Sequence, residues 1–460
     1  MLSGRTFKTA PSDDHLHQLD INKEEAERTM SIKKRAGICL LGVELALGAL
    51  PQTAGAADQP CVGKVPTIRA IAQPIPTITF LDSVKGDFEK KWATKIEIQQ
   101  FGESERRAKS RLDASQGTGA YQVYYIDEAN VAEFATSKWV LPLLHYMPKD
   151  WDWNDFLEGR RAVATYQGTV WFAPFMGGGD LMMYRKDIMT QKGLQPPKSL
   201  DDLTKVVAAL NDPPRMYGTS LRGRRGSGMN VWRWTPFFRG MGGQWFDGDK
   251  PVFNSDAAVK ATKYYINLLK YAPPGSSTNT WSEVIEGFRG GQVGLIIESD
   301  VMGPWAEDTT KSRIAGRVGY APPPDPLPSA GFAHGFAISA KGNPTECSKT
   351  VSAEFVAWST SKEMEARKVK AGILSDFARR STLDNPEFKA RINPDYIQGL
   401  RDTAPKTDLL IWKSPLWPEV GDDLGLELEQ VFTGSQPDIK QALDSAVSQA
   451  EQVVKRAADK

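Results

Sequence analysis

The sequence predicts an α/β protein built as two lobes joined by several chain crossings, and three observations carry that reading. Strand-like and helix-like runs alternate over residues 68–127, which implies right-handed crossovers and a parallel sheet. Three consecutive glycines, Gly177 to Gly179, separate two extended apolar runs, as in a strand that passes between lobes through a bend; an ordinary hairpin turn is the alternative. No flexible linker interrupts a chain of 460 residues, a length that favours two or more folded units over a single core.

In chain order, IRAIAQ (68–73), KIEIQQF (95–101) and YQVYYID (121–127) read as strands. Between them, residues 82–92 read as a helix with Val84, Phe88 and Trp92 one turn apart, and 104–114 as a charged helix. Ligands of such sheets bind at the carboxyl ends of the strands, which places residues 101–104 and Asp127 and Glu128 at a candidate site. Ser199 and Asp202 form a capping box for a helix over 200–210, stopped by Pro213 and Pro214. Asn254 or Ser255 caps a helix over 257–270. Thr280 and Glu283 make a second capping box for 281–289, ended by Gly290 and Gly291, and a strand follows at 293–297. The proline-rich run APPPDPLPSAG after Tyr320 suits neither helix nor central strand, and GFAHGFAISA (331–340) is again extended. Helices return at 350–360 and 436–458.

The N-terminus carries an address. Residues 1–29 form a polar extension; residues 30–56 follow the order of a secretory signal peptide, with Lys33, Lys34 and Arg35, an apolar stretch, and Ala54-Gly55-Ala56 at the cleavage position. Export to the periplasm as a free protein is expected. In that oxidising compartment Cys61 and Cys347 either pair or stay as two free thiols.

Composition removes other classes. Lys and Arg number 57 against 56 Asp and Glu, so the chain lacks the basic excess that nucleic acid requires. Four histidines and three scattered cysteines, with no CxxC or HExxH, leave little for a metal site, and no cofactor is expected. Beyond the N-terminus no apolar run reaches membrane-spanning length.

Four segments in order resemble the extracellular solute-binding proteins of ABC importers, in the maltose-binding-like carbohydrate group. They are YQVYYIDEANVAEFATSKWVLPL (121–143), VWFAPFMGGGDLMMYRKDIMTQKGLQPPKSLDDL (170–203), GGQWFDGDKPVFNSDAAVKATKYYINLL (242–269) with WSEVIEGFRGGQVGLIIESD (281–300), and Gly303-Pro304-Trp305. The resemblance implies a periplasmic-binding-protein-like α/β fold: two α/β lobes, a ligand cleft and a hinge of three crossings, near 174–181, 331–337 and 371–379. The first lobe would hold 57–174 and 337–372, the second 181–331 and 380–460. It implies a monomer that captures a mono- or oligosaccharide and delivers it to an inner-membrane permease, without catalysis. A polyol or another solute on the same fold is the first alternative. A secreted glycoside hydrolase, which needs two carboxyls flanking the sugar, is the second.

A sugar site needs aromatic planes for stacking and short polar groups for directional hydrogen bonds. The chain has 13 tryptophans, and Trp305, Trp281 and Trp232 are the stacking candidates; Trp232 and Trp234 alternate, so one faces a cleft. Glu103, Asp127, Glu128, Asp180, Glu298 and Asp300 are the candidate hydroxyl acceptors, each at a strand end or beside the glycines. Arg379, in Phe377-Ala378-Arg379-Arg380-Ser381, falls where the family places an arginine. His334 stands where relatives carry an aromatic, as a ligand partner or a hinge residue. Arg222, Arg224 and Arg225 read as a solvated loop, with a permease-facing role as the alternative.

Overall fold

The computed structural model describes residues 60–459; the expected extension and signal peptide lie outside them. The strands that carry the architecture are, in chain order, β1 (Thr67–Ala72), β2 (Lys95–Gln100), β3 (Val123–Asp127), β4 (Ala173–Gly178), β5 (Asp180–Arg185), β6 (Tyr217–Thr219), β7 (Val293–Ser299), β8 (Val318–Ala321) and β9 (Phe332–Ile338). A five-stranded sheet runs β2-β1-β3-β9-β4 and a four-stranded sheet β8-β5-β7-β6. This is the two-lobed periplasmic-binding-protein-like fold.

In the first sheet β1 pairs in parallel with β2 and β3, as alternation with helices requires. β9 is antiparallel to both β3 and β4, so the sheet is mixed rather than parallel throughout. The reason is connectivity: β9 enters the first lobe from the second instead of completing a strand–helix–strand unit. The glycines do bridge the lobes. β4 ends at Gly178 in one sheet, β5 begins at Asp180 in the other, and Gly179 alone lies between them. No side chain fits there, since a Cβ on Gly178 would meet Asp300 Oδ1 at 1.9 Å and one on Gly179 would meet Ser329 Oγ at 2.3 Å. The second passage runs through Ser329–Ala330, which pairs with Thr407–Asp408, into β9. The third comes later than residues 371–379. Ser381 and Thr382 still bond to Asp155 and Glu365 of the first lobe, and Asn393, at the head of the helix Pro394–Thr403, reaches Glu307 of the second.

Local signals explain most helices. Ser199 accepts from the Asp202 N–H, and Thr280 and Glu283 form the reciprocal capping box at the start of Trp281–Arg289. Residues 82–92 are split, however, into Pro76–Val84 and Gly86–Trp92. Several helices carry no sequence expectation, Asn230–Gly240 and Trp417–Thr433 among them; the first contains Pro236, which weakens the helical signal. The charged helix Glu103–Gln116 turns polar residues inward. Arg106 lies beneath the end of β3, bonded to the Tyr125 carbonyl at 2.6 Å, and Asp113 accepts from the Tyr124 hydroxyl at 2.6 Å. Cys61 and Cys347 are joined by a disulfide, which staples the segment before β1 to the helix Glu346–Ser359 within the first lobe.

Candidate ligand-binding cleft

The carboxyl end of β3 delivers Asp127 and Glu128 to the space between the lobes, and β9 sets His334 directly across from Asp127. A register shift between His334 and Gly335 bends β9 at that point, a device that re-aims a side chain at the rim of a sheet. Asp127 is fully occupied. Its Oδ2 accepts from Arg106 at 2.6 Å and Arg107 at 3.0 Å, and its Oδ1 from the Ala129 N–H at 3.1 Å. Burial pushes its acidity the other way, but the Arg107 and Arg106 charges hold Asp127 well below the usual carboxylate range. Asp127 therefore positions Arg107 and does not face the cavity. Arg107 in turn takes Glu103 Oε1 at 3.0 Å, one helical turn before it.

Glu128 and His334 differ from these ion pairs. Burial, with the Asp127 charge beside it, pushes Glu128 up to about 8, and burial pushes His334 down to about 3. With burial pushing Glu128 toward its protonated form and His334 toward its neutral one, their 3.5 Å approach is not a salt bridge. His334 Nδ1 is held by the Tyr125 hydroxyl at 2.7 Å, which leaves Nε2 toward the cavity.

The second lobe supplies the opposite wall. Arg222, buried, grips Glu298 through Nε at 2.8 Å and Nη2, and its Nη1 donates to the Gly228 carbonyl at 2.8 Å. Behind it Arg233 binds Asp180 through both terminal nitrogens and the Ile297 carbonyl at 2.8 Å. Trp232 comes from the helix Asn230–Gly240, Trp281 from the first residue of Trp281–Arg289, and Trp305 from the short helix Met302–Ala306. The Trp281 and Trp305 ring centres are 6.0 Å apart with planes inclined by 48°.

These walls line a cavity of about 60 Å³. The lobes touch along one rim of it. Arg107 reaches Ser227 Oγ of the second lobe at 3.4 Å, a Cβ on Gly228 would meet Glu103 Oε1 at 2.1 Å, and Trp305 Nε1 donates to Ser375 at 2.9 Å.

Of the expected residues, Glu103, Glu128, Trp232, Trp281, Trp305 and His334 line this cavity. Asp127, Asp180 and Glu298 stand one layer behind, consumed by arginines. Asp300 lies at the first crossing, its Oδ2 accepting from the Gly179 N–H at 3.1 Å; burial pushes it up to about 7, opposed by Arg160. Arg379 is away from the cleft, packed 4.0 Å over Phe156 and bonded to the Trp151 and Thr360 carbonyls and Asp155. Arg222 is not part of a solvated loop, because Glu298 draws it inside. The sequence reading missed Gln73, Arg107, Ser299 and Phe332, all on the cavity wall. For Arg107 a signal existed: it sits one turn into the helix that opens at a strand end.

Residues 73–366 match the family described as bacterial extracellular solute-binding protein. The mannitol-binding protein of Pseudomonas aeruginosa is 26% identical over 368 residues, covering 75% of this chain and 82% of that protein. Two solved ABC transporter solute-binding proteins share the fold at a TM-score of 0.78 and 24% identity. One, from Agrobacterium radiobacter K84 in complex with ribitol, is covered to 98% by 84% of this chain. The other, from Agrobacterium vitis S4 with bound D-mannitol, is covered to 99% by 85%. With two sheets linked at Gly179, a cleft between them and a family match over most of its length, the chain belongs to the bacterial extracellular solute-binding proteins.

Proposed function

We propose that this chain is the periplasmic solute-binding component of an ABC transporter. It captures a neutral polyhydroxylated molecule of one-sugar size, a polyol before a sugar, and hands it as a monomer to an inner-membrane permease without altering it. The observation that supports this most is the charge balance of an aromatic-walled cavity. Arg106, Arg107, Arg222 and Arg233 are matched by Glu103, Asp127, Asp180 and Glu298, while Glu128 and His334 are neutral. Such a site has no spare charge for a cationic or anionic ligand, and three tryptophans to cover the C–H faces of a neutral one. The polyol-binding relatives point the same way.

The test is calorimetry and thermal unfolding against hexitols, pentitols, mono- and disaccharides and polyamines. A ligand at about a thousand times its dissociation constant adds roughly 4 kcal/mol and moves the midpoint by several degrees. A polyol hit recovered unchanged supports the reading. A disaccharide preferred over every polyol, or a ligand consumed with new sugars formed, overturns it.

A further inference from the structure

Two polar atoms on the cavity wall are buried without any hydrogen-bond partner: Glu128 Oε2 on the first lobe and Ser299 Oγ on the second. A buried oxygen left without a partner is costly, and both atoms belong to residues that line the cavity. Glu128 has a 4% exposed side chain, and His334 Nε2 stands 3.5 Å from its Oε2. The neutral Glu128 carboxyl supplies one O–H donor and one acceptor of its own, and the imidazole supplies one of each on its two nitrogens. Two such atoms at about that spacing suit adjacent hydroxyls of a gauche diol, whose oxygens lie about a hydrogen-bond length apart.

We propose that Glu128 is the specificity-determining residue of the cleft: as a carboxylic acid paired with His334 it takes a hydroxyl of a neutral ligand, while Ser299 takes one from the opposite wall. This rests on the polyol reading above. It follows that the cleft rejects the sugar acid that differs from its polyol by one carboxylate. The groups facing Glu128 give that carboxylate no free cation. Asp127 at the end of β3 is negative; Arg107 is divided between Asp127 and Glu103 on its helix; His334 on β9 is neutral; and Arg222, from the other lobe, is bound to Glu298. Losing the Glu128 proton removes the donor and places a second negative charge beside Asp127. Neutral-ligand affinity is therefore full below about pH 8 and falls above it, by about tenfold for each pH unit.

The experiment measures D-mannitol affinity calorimetrically from pH 6 to 9.5 in the wild-type protein and in Glu128→Gln, with mannonate as the charged comparator. Where another neutral polyol or sugar binds better, it and its acid replace them. The expected result is a wild-type affinity that holds to about pH 7.5 and drops about tenfold by pH 9. Glu128→Gln, which keeps the neutral shape, stays within a few-fold of wild type at pH 7 and loses the high-pH drop. Lys413, which burial pushes down to about 8, is present in both proteins and cancels in the comparison. The wild-type profile stands alone if the variant folds poorly. A pH-independent affinity, a folded Glu128→Gln that binds more than about thirtyfold weaker at pH 7, or a preference for the acid overturns the proposal while the polyol reading survives. Failure of every neutral polyol and sugar to bind at any pH defeats that reading, and this proposal with it.

Discussion

The two walls of the cleft are both made at the ends of α/β sheets, yet they work with different chemistry. The first lobe presents Gln73, Glu103, Arg107, Glu128 and His334, polar heads fixed from behind by Asp127 and Tyr125. The second presents Trp232, Trp281 and Trp305 around one buried arginine. On the reading proposed above, a polyhydroxylated ligand has both kinds of surface and meets one on each lobe. An aromatic wall gives affinity with little regard for stereochemistry, because a ring stacks on any C–H face. A polar wall reads individual hydroxyls. The lobes also differ in what holds them. Both anchor a central strand to buried arginine–carboxylate pairs, but the first also has a disulfide, whereas the second contains no cysteine.

Changes that act on one lobe at a time test this contrast. The largest effect is expected from replacing Cys61 and Cys347 together by serine. The bond spans 286 residues, and closing so long a loop is worth up to about 5 kcal/mol. Urea unfolding followed by tryptophan fluorescence should show the first lobe melting early, and a single transition of unchanged midpoint would remove the staple from the argument. Next comes Arg222→Ala, which leaves buried Glu298 with Arg233 at 3.9 Å as its remaining cation. Breaking such a pair costs about 3–5 kcal/mol, here falling on the second lobe. A loss below about 1 kcal/mol by chemical denaturation would mean that water replaces the guanidinium.

A smaller effect belongs to the hinge between them. Asp300 holds its proton in the folded chain up to about pH 7, against about 4 when unfolded. Its raised value contributes stability that is complete below about pH 4 and is lost as the pH rises toward 7. Asp300→Asn should therefore gain on wild type across that window, by on the order of 4 kcal/mol, as read from unfolding free energies at pH 4 and pH 8. A constant difference at both pH values would place the ionisation elsewhere. The smallest effect is Trp305→Ala, which removes one stacking plane and the bond to Ser375. It should weaken every ligand about ten- to thirtyfold by calorimetry, with the order of preference kept. A change in that order would mean the aromatic wall also discriminates.

What could be read from the sequence divides along the same line as the walls. Caps at Ser199 and Thr280 and the glycines at 177–179 are local signals, and local signals placed helix starts and the first crossing. Tryptophans outside regular apolar periodicity found the aromatic wall. Trp232 was chosen over Trp234 on a strand-like alternation. The segment is a helix, but two residues along a helix are also about 200° apart, so the inference survived its premise. The carboxylates lie at the strand ends that the sequence marks, but arginines hold Asp127, Asp180 and Glu298. Asp180 and Glu298 sit at strand ends, but the arginines that consume them are 53 and 76 residues away, and nothing in a single sequence announces such a pairing. Arg379 was carried over from the resemblance alone, and carbonyls of the first lobe hold it far from the ligand.

The seam where Arg107 meets Ser227 and Gly228 also governs time. A molecule behind that seam leaves on this side only when the lobes part, a collective motion on the microsecond-to-millisecond scale. Each parting is then a chance to leave or to be recaptured, and tight and weak ligands differ in how many they survive.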